Sequence, residues 1–122
     1  MNLARTHCNA ALAVFFALAG CSTHLPNQPI TVEQILASPQ KFDGKEVLVK
    51  GVFLMPMTGA ERLFNSEQDY GQLRIDRSIE VHADPHKTDL MPFQLKTCLV
   101  TGRVRIASQG LSLKALRFDA VN

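Results

Sequence analysis

The stretch ILASPQKFDGKEVLVKGVF, residues 35–53, decides the fold because three kinds of local structure meet in it. Ile35 and Leu36 end a short apolar stripe, and Pro39 cannot continue the helix that the stripe belongs to. Phe42 is a large apolar residue stranded between polar neighbours and is expected to plug a core. Asp43-Gly44 is turn chemistry. In KEVLVKGVFLMP, residues 45–56, Val47, Val49, Gly51 and Phe53 alternate with Leu48, Lys50, Val52 and Leu54. Both faces are therefore largely apolar, as a long strand curved through a small barrel requires. Gly51 at its centre permits a sharp coil.

Working upstream, Thr31 followed three residues later by Gln34 is a capping-box pattern. Ile30 stands where a staple residue would, and Val32 begins the stripe that Ile35 and Leu36 complete. Working downstream, ERLFNS (61–66) and GQLRID (71–76) have strand composition but leave their pairing open. SIEVHA (78–83) alternates Ile79, Val81 and Ala83 on one face. The segment DPHKTDLMPFQ, residues 84–94, has two prolines and reads as a crossing loop with at most one helical turn. LKTCLVTGRVRI and LSLKALRFDAV form the last two strands, and Ala107-Ser108-Gln109-Gly110 turns between them. Cys98, Val100, Gly102 and Val104 share one strand face, so Cys98 is expected as a small buried hydrophobe.

The order of elements resembles the OB-fold, a five-stranded, partly open Greek-key barrel. The expected class is all-β with a short N-terminal helix. The run from the helix through the proline, the aromatic, Asp-Gly-Lys and Val-x-Val-x-Gly is similar to the opening of small bacterial OB-fold domains, and CLVTGRV echoes it later. These motifs are structural, so the resemblance implies a fold and no activity.

The N-terminus has a different character. Met1–Arg5 carries one cation and no acid, and an apolar run from Ala10 to Ala19 follows. That is the layout of a secretory signal peptide, too short for the roughly 20 residues of a membrane span. Leu18-Ala19-Gly20-Cys21 resembles the lipobox of bacterial lipoproteins. The resemblance implies cleavage between Gly20 and Cys21 and covalent lipid, such as palmitate, on the Cys21 thiol. Two or three chains anchor stably where one does not. Ser22 in place of Asp after the cysteine implies, in a Gram-negative host, the periplasmic face of the outer membrane. The expected organisation is a signal peptide over 1–20, a lipidated tether over 21–29 and an OB-fold-like domain over 30–122. STHLPNQP, residues 22–29, suits a tether because it is proline-rich, polar and without apolar period.

Loss of Arg5 with the signal takes 13 Lys and Arg to 12, against 11 Asp and Glu. A charge so near balance argues against a dedicated polyanion binder. Lys50, Arg74, Arg77, Arg103, Arg105, Lys114 and Arg117 could form a basic face, but Phe64 and Tyr70 are the only aromatics near the second and third strands, and stacking platforms are what single-stranded nucleic acid needs. No nucleic-acid partner is expected. With Cys8 in the signal and Cys21 committed to lipid, Cys98 has no partner for an internal disulfide.

Two constellations could carry chemistry. His82, Asp84 and His86 recur at alternate positions and are metal-ligating types. Met55-Pro56-Met57 supplies soft thioethers that select Cu(I). It resembles in part the Met-x-Met pair of periplasmic OB-fold copper chaperones, which also use a His and a stacking Trp, yet the chain has no Trp. Met55, Met57, His82 and His86 are thus the alternative reading, a periplasmic copper-binding module. Ser66, Asp69, Asp76, His82 and Asp84 offer hydrolytic residue types without a nucleophile motif. The expectation is a non-enzymatic module without resident cofactor or metal, anchored to the membrane through lipid and binding an envelope protein, peptide or glycan. Its candidate contact surfaces are MPMTGAE (55–61), SEQDYG (66–71) and the turn between the last two strands, taken as loops at one end of the barrel.

Overall fold

A computed structural model describes residues 28–84, 86–108 and 110–121. The segment expected as a signal peptide, the lipobox-like Leu18–Cys21 and most of the expected tether lie outside them. The chain begins with β1 (Pro29–Thr31), followed by helices α1 (Val32–Ala37) and α2 (Pro39–Phe42), then β2 (Glu46–Leu54) and β3 (Glu61–Phe64). Helix α3 (Glu67–Gly71) and a 3₁₀ turn (Ile75–Arg77) lead to β4 (Ser78–His82). A second 3₁₀ turn (Met91–Phe93) precedes the long hairpin β5 (Thr97–Ala107) and β6 (Gly110–Ala120).

The sheet closes on itself. Its order is β1-β2-β3-β4-β6-β5, with β5 pairing back onto β2. Neighbours are antiparallel except β4 with β6, and β1, which adds to β2 in parallel. Five strands in that ring form a Greek-key OB-fold barrel, as the element order led one to expect.

β2 belongs to two sheets in effect. It pairs with β5 from Glu46 to Val52 and with β3 from Val52 to Leu54, so it must coil sharply near Gly51. A Cβ built on Gly51 would sit 2.7 Å from Leu63 Cγ and 2.7 Å from the Phe64 carbonyl oxygen. Gly102 of β5 is equally hemmed in, at 2.6 Å from the Lys114 carbonyl oxygen. The central glycines are there for close strand crossing.

The helix caps as its sequence promised. Gln34 N–H donates to Thr31 Oγ1 at 3.0 Å, and Thr31 N–H donates to Gln34 Oε1 at 2.8 Å. Val32 and Ile35 are wholly buried, and α1 with Phe42 closes one end of the barrel. The Asp43-Gly44 turn is present, with Gly44 at φ +79° and Lys45 N–H bonded to the Phe42 carbonyl. Pro39 ends α1 and opens α2 at its first position, where its missing N–H costs nothing. Cys98 is fully buried among Val49, Val100 and Val104 of the core.

Three expectations need correction. Pro29, assigned to the tether, opens β1, and Ile30 is laid against Val49 as part of that strand. GQLRID is not a strand. Ser66 caps α3, Leu73 turns at φ +52°, and a 3₁₀ turn follows, so the third barrel strand is Ser78–His82. Its composition misled because Leu73 and Ile75 are exposed rather than packed against a sheet. The surfaces expected to share an end do not. The β4–β6 pairing places the 107–110 turn beside the segment joining β3 to β4, while residues 55–60 leave from the opposite end, near Val81. SEQDYG is helix α3 rather than a loop, with Tyr70 edge-on to Phe64 at 5.7 Å.

Candidate functional site

Neighbouring strands in a barrel part company when one ends before the other. β4 and β6 pair in parallel only from Glu80–Ser112 to His82–Lys114. Beyond His82 the chain turns away, with the Asp84 carboxylate accepting the His86 N–H at 2.9 Å. β6 continues to Ala120. A groove of about 800 Å³ opens between them and runs back along the outer face toward the β5–β6 turn. That volume lies within the range of ligand pockets.

Three features shape it. Phe118 forms an apolar floor, packed edge-on against Phe53 at 5.1 Å and tilted against Phe93 at 5.4 Å. The β5–β6 ladder slips at Thr101/Gly102, where Arg117 and Ala115 are the successive partners and Leu116 is left over as a bulge. A bulge re-aims a side chain. Leu116 lines the groove at 53% exposure, on a strand that otherwise buries Leu113 completely.

The third feature is charge. Lys87, Arg105 and Lys114 line the groove, and none has an acidic partner among the described residues. Of the two acids there, Glu80 is 2.7 Å from His82 Nε2, and Asp84 is engaged with the His86 backbone. Both carboxylates keep their charge, so the three cations of the groove outnumber its two acids by one, beside an apolar floor.

The residues singled out from sequence fall elsewhere or into structural roles. Met55 packs against the core, its N–H donating to Gln94 Oε1 at 2.6 Å and its carbonyl accepting from Gln94 Nε2 at 3.0 Å. Met57, two residues on, is fully exposed. The two thioethers thus do not share a surface. His82 is bound to Glu80, His86 lies in the exposed turn after Asp84, and no group of three His, Cys, Asp or Glu comes together among the described residues.

Ser66 and Asp69 cap α3 mutually: Ser66 Oγ donates to Asp69 Oδ2 at 2.9 Å and accepts from Asp69 N–H at 3.1 Å. The exposed Arg74–Asp76 pair, at 2.8 Å, lowers the Asp76 carboxyl and raises the Arg74 guanidinium through their hydrogen bond. Arg77 reaches Glu33 and Asp69, Arg103 reaches Glu46, and Arg117 reaches Asp119. Of the basic residues proposed as one face, Lys50, Arg105 and Lys114 are left without an acid among the described residues, and the last two lie in the groove. Sequence reasoning missed Leu116 because a bulge is set by ladder register, which a single strand does not encode.

No family model and no curated protein matches the chain. Among solved structures, it is similar to a chain of the Stn1–Ten1 complex of Schizosaccharomyces pombe, at 19% identity and TM-score 0.49 over 77% of this chain and 75% of that one. It is also similar to a DUF3299 family protein from Pseudomonas aeruginosa, at 12% identity and TM-score 0.46 over 67% of this chain and 64% of that one.

Proposed function

We propose that this protein is a lipid-anchored envelope module that binds one protein partner in the groove between β4 and β6. The observation that carries the reading is the groove itself, with an apolar floor at Phe118, a bulged Leu116 and uncommitted Lys87, Arg105 and Lys114 on one rigid barrel. Such a surface suits recognition because it combines apolar contact area with charge that steers and orients. The lipobox at Leu18–Cys21 motivates the anchor, and the outer membrane is the proposed location in a Gram-negative host. β1, which would follow the proposed tether, joins the barrel through parallel pairing with Leu48–Lys50 of β2.

Two measurements test it. Replacing Cys21 with Ala should abolish acylation and release the protein from membranes; a variant that stays acylated and sedimenting overturns the anchor. A photo-crosslinking amino acid in place of Leu116 should form a discrete adduct in intact cells that the same amino acid in place of exposed Gln40 does not form. Absence of any adduct specific to position 116 overturns the groove as the binding surface.

A further inference from the structure

β6 has an open edge that borders the groove at Leu116 and Phe118. Antiparallel pairing to β5 engages alternate N–H and C=O groups on one side of the strand only. On the other side the partner is β4, whose ladder stops at His82–Lys114. From Leu116 to Ala120 that far side has no ladder partner, and no loop or side-chain hydrogen bond reaches it among the described residues. Closure removes open edges in most barrels, and an edge that stays open presents unpaired N–H and C=O groups to which another strand can pair.

We infer that the partner docks by adding an extended, acidic segment to this edge of β6, as a further strand beside residues 116–120. The inference rests on the groove being a binding site and names the chemistry of what fills it. An added strand presents side chains alternately to two sides. One set would meet Phe118 and Leu116, so aliphatic residues belong there. The other set would lie over Arg117 and Asp119, which offset each other at 2.9 Å, with uncommitted Lys114 at the near end and Lys87 in the same groove, so Asp or Glu belongs at the end toward Lys114. Backbone pairing supplies affinity and the alternating contacts supply selectivity, which is the logic of β-strand addition. Lys114 is exposed and Leu116 half-exposed, so changing either leaves the core intact.

The test uses the full-length protein in detergent and a library of short peptides alternating Asp or Glu with Val, Ile or Leu. Binding is expected to select such peptides over versions with Lys at the acidic positions, and to weaken at least about tenfold for Lys114→Glu combined with Lys87→Glu. Methylating alternate peptide backbone nitrogens, which removes the donors a strand needs, is expected to abolish it. Backbone amides within 116–120 should gain protection from hydrogen exchange on binding. Binding that survives both backbone methylation and charge reversal, or that leaves those amides unprotected, overturns strand addition. So does preferential binding of an acidic glycan, probed with hyaluronan oligosaccharides. If the peptides fail while position 116 still crosslinks a partner in cells, strand addition falls and the binding-module reading stands.

Discussion

Gly51 of β2 and Leu63 of β3 touch so closely that the glycine has no room for a side chain: an ideal Cβ would lie 2.7 Å from Leu63 Cγ. This is the point where β2 leaves β5 and takes up β3. Because the Phe64 carbonyl is equally near, rotation of Leu63 alone cannot relieve the clash. Gly51→Ala is expected to destabilise the barrel by about 1–3 kcal/mol, the usual range for overpacking. Gly102→Ala should behave alike, since its obstacle at 2.6 Å is also backbone. Urea midpoints at unchanged slope are the check, and an unchanged midpoint for Gly51→Ala would refute the crossing argument.

Thr31 and Gln34 satisfy each other's backbone donors at the start of α1, the helix that closes the barrel. Thr31→Ala should cost about 1 kcal/mol. Thr31→Ser, which keeps the acceptor, should cost much less. Equal losses for the two would mean that the hydroxyl is not what holds the helix.

Phe118 and Leu116 lie two residues apart with opposite expectations. Phe118, in contact with Phe53 and Phe93, should lose about 3–5 kcal/mol on truncation to Ala. Leu116→Ala should stay within about 0.5 kcal/mol, as surface changes do. A large loss for Leu116→Ala would show that the bulge residue serves packing and would weaken its role in recognition.

Burial pushes the Cys98 thiol up to about 11, against an ordinary value of 9.0. The protonated, neutral form is the one that the core accepts. The stabilisation from this difference is complete below about pH 9 and is lost as pH rises toward 11, by up to about 2–3 kcal/mol. Urea midpoints for the parent should therefore fall across that window by more than those of Cys98→Ala. In the folded protein near neutral pH, a thiol reagent should label Cys98 only after denaturant is added. Rapid labelling of the native state would contradict its burial.

Met55 turns toward the core while Met57 points to solvent, and His82 is tied to Glu80. Thermal unfolding with Cu(I), Zn(II) or EDTA is accordingly expected to show no metal-specific shift, measured without oxygen. A rise in Tm with Cu(I) that vanishes in Met55→Leu with Met57→Leu would restore the copper reading, because a ligand that binds the native state stabilises it by mass action.

Much of the barrel is written in short-range chemistry. The Thr31–Gln34 box, the Pro39 stop, the Asp43-Gly44 turn and the alternating valines around Gly51 and Gly102 are each decided by residues within a few positions of one another, so the sequence alone suffices to read helix, turn and coiled strand. The same holds for the buried face that includes Cys98. The GQLRID segment escaped because its leucine and isoleucine have strand propensity but, with α3 and a 3₁₀ turn around them, are held out to solvent. The groove escaped for a deeper reason. It exists because β4 stops pairing at His82 while β6 goes on, and because the β5–β6 ladder slips at Thr101/Gly102. Register is a relation between strands distant in sequence, and only closure of the barrel sets where Lys87, Arg105, Lys114 and Leu116 meet.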